Sequence, residues 1–85
     1  MPDSPLSRLV LVEKTEKRVD SQATGLLLRS VREKLKIEQK TLAIEMGFSQ
    51  SYIADLELGR RGMTRELFEK FRTSLKQLSE HMEGL

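Results

Sequence analysis

The stretch QKTLAIEMGFSQSYIADLELG, residues 39 to 59, is the part of this chain with the least freedom in how it can fold. Leu42 and Met46 stand four residues apart with Ala43 beside Leu42, a narrow apolar face small enough for close contact between helices. Gly47 follows the last apolar position, where a glycine can take the left-handed conformation that ends a helix. Ser49 can cap a second helix by accepting from a backbone N–H two or three residues on, and Ile53 and Leu56 then fall at i and i+3 on an inward face. Gly59 closes this second helix as Gly47 closes the first. The pattern is two short helices pinned by a tight turn.

A helix, a three- or four-residue turn containing glycine, and a second helix make up the general form of the DNA-binding helix-turn-helix. In this chain Gln39, Leu42-Ala43, Gly47, Ser49, Ile53 and Leu56-Glu57-x-Gly59 stand at spacings that resemble the phage-repressor family, the Cro-like or XRE-type domains. The likeness extends upstream to Leu28-x-x-x-Arg32 and downstream to Leu67, Phe71 and Leu75, covering roughly residues 25 to 78. It implies an all-α, four- to five-helix repressor-like domain with a central helix-turn-helix. The expected division is residues 1–20 as an N-terminal arm, flexible or strand-forming, and residues 21–85 as the helix-turn-helix domain with its C-terminal helix.

The resemblance also implies roles for particular residues, beside which the side chains have readings of their own. Gln50 and Ser51 open the second helix, where base-reading groups sit; Gln suits adenine N6 and N7, and Ser can donate or accept with any base. Asp55 is one turn further on, where the family favours Gln, Arg or Lys. A carboxylate there either accepts from a cytosine N4 or pairs with a neighbouring Arg. Gln39, Ser49, Tyr52, Arg60 and Arg61 are the expected phosphate contacts, with Gln39 alternatively a plain first-turn residue and Tyr52 alternatively a packing residue. Arg32 and Glu57 are implied to form a scaffold bridge beneath the motif, partly buried at the edge of the apolar faces. Glu38 departs from the family's Ser or Thr cap, so weaker capping is expected there.

Composition sets limits on the rest. Eighty-five residues make one small domain, which buries only about 60 to 65% of its unfolded surface, so a dimer interface would help it. With no Cys there is neither disulfide nor thiolate site, and the setting expected is the cytoplasm. The four-residue run Leu9 to Val12 is too short for a signal-peptide core or a membrane span. The single His81 has no second imidazole or thiol, so no metal or other cofactor is expected. An enzyme fails on inventory, for want of a cysteine, a positioned histidine or a glycine-rich phosphate loop. The net charge of +2 is weak for nucleic acid and is concentrated in residues 21 to 47.

Along the chain, residues 1 to 8 are expected to be mobile and Leu9 to Val12 to form a strand or coil. A lone strand cannot stand, so this segment, if ordered, must pair with the same segment of another chain or lie on the helices. Asp20 or Ser21 should cap a helix to about Leu35 with Leu28, Val31 and Leu35 inward, leaving Leu26 and Leu27 as surplus apolar surface. Thr64 should cap one long helix to about Met82, faced by Leu67, Phe71, Leu75, Leu78 and Met82. The partners expected are double-stranded DNA and a second copy of the chain. The rival is an antitoxin or other interaction module that uses the same fold to bind a partner protein.

Overall fold

The computed structural model describes residues 4–15 and 18–83, with side chains through residue 81. Among them are four α-helices, α1 (Ser21–Lys34), α2 (Gln39–Met46), α3 (Gln50–Glu57) and α4 (Arg65–Glu83), preceded by a short 3-10 turn at Pro5–Arg8 and two small strands, β1 (Glu13–Thr15) and β2 (Arg18–Val19). No helix among the described residues is long and apolar enough to cross a membrane.

Local chemistry sets the helix ends. Asp20 Oδ1 accepts from the Ala23 N–H at 3.0 Å and starts α1. Ser49 Oγ accepts from Tyr52 N–H at 3.1 Å to start α3, and Thr64 Oγ1 accepts from Leu67 N–H at 3.0 Å to start α4. Glu38 makes no side-chain cap, so the first turn of α2 lacks the capping side chain that starts α1, α3 and α4. Gly47 ends α2 at φ 74°, and the Phe48 N–H reaches back to the Ala43 carbonyl at 2.9 Å. Helix α1 ends less comfortably, since Lys36 adopts φ 61°, a region that favours glycine. The turn it permits buries Ile37 and lets its N–H bond the Arg32 carbonyl at 3.1 Å.

The core gathers Leu28 and Val31 from α1, Ile37, Leu42, Ala43 and Met46, Ile53 and Leu56 from α3, and Met63, Phe68, Phe71 and Leu75 around α4. Leu35 is only half-buried, and Leu27 packs on the core margin while Leu26 is 60% exposed. On α4 the inward stripe is Phe68, Phe71 and Leu75, a correction to the stripe expected through Leu67 and Leu78, which are half-buried at its border. Positions 67 and 68 lie about 100° apart on the helix, and the approach of the other elements selects the larger phenylalanine. The Met82 side chain lies outside the described residues. Helix α4 runs unbroken past Lys76-Gln77, since neither residue can end a helix as Gly or Pro would.

The N-terminal segment follows one of the courses open to it, lying on the helices, with its strands placed later in the arm. Leu9 to Val12 form no strand; Leu9 is 1% exposed and belongs to the core, and the strands come after it. The buried Thr24 hydroxyl accepts from Val12 N–H at 3.1 Å and donates to the Val12 carbonyl at 3.2 Å, so a side chain satisfies the backbone that a strand neighbour would otherwise serve. Arg72 of α4 donates to the Leu9 carbonyl at 2.9 Å, and Arg65 pairs with Glu13. The hairpin β1–β2 is internal and antiparallel, with Glu13 opposite Val19. Of residues 1 to 8, expected to be mobile, residues 1 to 3 lie outside the described residues, and Pro5–Arg8 form a turn capped by Ser4, whose Oγ accepts from Leu6 N–H.

Gly25 controls how α1 meets α3. A Cβ on Gly25 would lie 2.4 Å from the Leu56 carbonyl oxygen and 2.7 Å from that of Glu57, both backbone atoms. Elsewhere in a helix, Ala for Gly stabilises by about 1 kcal/mol. Here Gly25→Ala should instead destabilise by about 1 to 3 kcal/mol, because the helices must separate to admit the methyl group. Urea unfolding of the two proteins checks the sign, and a stabilised variant would refute the close approach.

Candidate nucleic-acid interface

Helices α2 and α3 pack against each other, and α3 also packs on α1. With Ile53, Leu56 and Glu57 turned inward, the outer face of α3 presents Gln50 and Ser51, then Ala54, Asp55 and Leu58. Gln50 and Ser51 are exposed, Ala54 and Asp55 half-buried.

Beneath this face is a buried polar network. Arg32 Nε donates to Glu57 Oε2 at 2.6 Å and Nη2 to Oε1 at 3.2 Å, a two-pronged contact. Arg32 Nη1 donates to the Ile37 carbonyl at 2.8 Å. Burial is nearly complete, with side-chain exposures of 9% for Arg32 and 0% for Glu57, in place of the partial burial expected at the edge of two apolar faces. The extra cover comes from outside those faces. The chain after α1 closes over Arg32, and Gln39 at the start of α2 donates from Nε2 to Glu57 Oε1 at 2.8 Å. Gln50 Nε2 in turn donates to Gln39 Oε1 at 3.4 Å, a long contact at the surface. Hydrogen bonds thus run from a buried ion pair to two glutamines at the first turns of α2 and α3. An amide nitrogen has two N–H groups, so Gln39 keeps one donor beyond the one given to Glu57.

A family model described as helix-turn-helix matches residues 28–75, more than half of the chain. The chain belongs to the Cro/XRE-type helix-turn-helix family. It is a DNA-binding regulator of that general kind. No curated protein and no solved structure matches it significantly.

In this helix-turn-helix protein the remaining candidate residues flank the outer face of α3. Ser49 is exposed, and its oxygen already caps the helix, leaving the hydroxyl proton to donate. Tyr52 is half-buried, its ring edge-on to Phe48 at 4.9 Å and covered by the Arg61 guanidinium at 5.2 Å. Arg60 and Arg61 are exposed beyond the end of α3, both within 4 Å of the Asp55 carboxylate. His81 is exposed near the end of α4, remote in sequence from this face. Sequence reasoning missed Gln39 as a member of the buried network. A signal was present, since Gln39 and Glu57 each lie at a helix terminus, but only their contact reveals it.

The Arg32–Glu57 pair generates a stability prediction. Each charge lacks water, so Glu57→Gln or Arg32→Met should cost on the order of 3 to 5 kcal/mol by stranding the survivor. The double variant should lose less than the sum of the two. Chemical denaturation of all four proteins measures the coupling, and strict additivity would show that the two residues act independently.

Proposed function

We propose that the protein is a sequence-specific DNA-binding transcriptional regulator that acts as a homodimer on a pseudo-palindromic operator. The observation that carries this reading is the outer face of α3, where Gln50 and Ser51 stand exposed at the first turn while the helix behind them is fixed by buried contacts. Held in the major groove, Gln50 and Ser51 read base edges, Gln50 through a bidentate contact to adenine. The open N-terminus of α2 with Gln39, the hydroxyls of Ser49 and Tyr52, and Arg60 and Arg61 engage the flanking phosphates. Asp55, with cations already beside it, serves the arginines and not a cytosine.

Two copies with recognition helices about 34 Å apart would span successive major-groove half-sites. Exposed Leu26 at 60% and Val10 at 51% are apolar surface suited to a second copy. The same surface favours the second reading, an antitoxin or other module that meets a partner protein. Selection from a random duplex pool separates the two, because an interaction module enriches no motif.

Gln50→Ala should cost about 1 to 3 kcal/mol at the selected site and leave affinity for random duplex nearly unchanged. Equal losses on both would remove Gln50 from base reading. Sedimentation equilibrium at tens of micromolar should report twice the 9.8 kDa chain mass; a monomer there would argue against the homodimer.

A further inference from the structure

An acid on a groove-facing helix opposes a polyanion, which makes Asp55 the unexpected residue of the interface. Its side chain is 30% exposed, with Oδ1 3.8 Å from Arg60 Nη1 and Oδ2 3.6 Å from Arg61 Nε. The loop that carries both arginines is tied back to the same residue, since Arg60 N–H donates to the Asp55 carbonyl at 2.8 Å. Arg61 is also stacked over the ring of Tyr52, three residues before Asp55 on α3. Two cations therefore converge on one carboxylate at the edge of the proposed DNA surface, one of them also held against an aromatic face.

The ion pairs are long, and the arginine side chains remain 71% and 58% exposed. Such pairs are weak, solvent-screened and easily exchanged. A DNA phosphate offers guanidinium groups the same anionic oxygens in a geometry they favour. We propose that Asp55 is an internal substitute for a backbone phosphate: it occupies Arg60 and Arg61 in the free protein and lowers affinity for DNA of arbitrary sequence. The arginines transfer to phosphates only when base contacts by Gln50 and Ser51 add to the exchange. Asp55 is then a positioning residue that raises the ratio of specific to nonspecific binding, and the inference rests on the DNA-binding reading above.

The test is fluorescence anisotropy of the full chain on a labelled random duplex at salt concentrations from about 50 to 200 mM. Asp55→Asn keeps the shape and removes the charge, and Asp55→Ser removes it with a smaller side chain. Glu80→Gln makes the same charge change at an exposed residue ~22 Å along α4 from Arg65. Both Asp55 variants should bind about three- to tenfold tighter at the low-salt end and steepen the slope of log affinity against log salt by about one. Glu80→Gln should do neither, and adding Arg60→Ala and Arg61→Ala to Asp55→Asn should abolish the gain.

Equal effects of Asp55→Asn and Glu80→Gln would overturn the proposal, because the carboxylate would then act only through net charge. Weaker binding by Asp55→Asn would overturn it too, by showing that Asp55 aims the arginines at phosphate. If no variant binds any duplex, the DNA-binding reading fails. A heparin column then decides the arginine site alone: later elution of Asp55→Asn than Glu80→Gln supports it, and co-elution rejects it.

Discussion

The Arg32–Glu57 ion pair is the constraint on which the arrangement of this domain depends. Both side chains are removed from water, and such a pair holds only when its geometry is good and the remaining polar atoms are satisfied. Those conditions are met by parts far apart in sequence: Glu57 from α3, the Ile37 carbonyl from the chain after α1, and Gln39 from α2. No one of these elements can turn about its axis without leaving a buried charge or amide unpaired. Gly25 makes the arrangement possible from the other side, because its missing side chain lets α1 approach the last carbonyls of α3. The rotation of α3 decides which residues face outward, so the identity of the candidate interface follows from chemistry buried beneath it.

The N-terminal segment completes the same body. A small domain buries a modest fraction of its surface, and every added apolar side chain matters. Leu9 enters the core, Thr24 holds the Val12 backbone, and Arg72 holds the Leu9 carbonyl, so the segment is tied to α1 and α4 by groups from both. Helix α4 supplies part of the surface on which this segment lies, through Arg65 and Arg72.

Net charge describes the proposed DNA surface poorly. The chain carries only +2 overall, yet screening confines an exposed charge to roughly 8 Å at physiological salt, so local pairing matters more than the total. Arg60 and Arg61 count as strong phosphate ligands when Asp55 is ignored and as partly neutralised groups when it is included.

The features legible in the sequence are those decided within a few residues. Asp20, Ser49 and Thr64 cap helices because a short polar side chain bonds the N–H three residues on, and Gly47 turns the chain because it has no Cβ. The spacings of Leu42 with Met46 and Ile53 with Leu56 mark inward faces for the same local reason, and they place Gln50 and Ser51 outward. Other features depend on which surfaces meet. Phe68 instead of Leu67 lies in the core, and of the courses open to residues 9 to 12 the chain takes the one that buries Leu9 on the helices. Gln39 joins Glu57. Helical periodicity locates an apolar face only to within about one residue, and it says nothing of contacts between segments tens of residues apart. Burial and pairing at those positions were therefore decided by the tertiary structure alone, because they depend on the shape and polarity of a neighbour that local sequence does not encode.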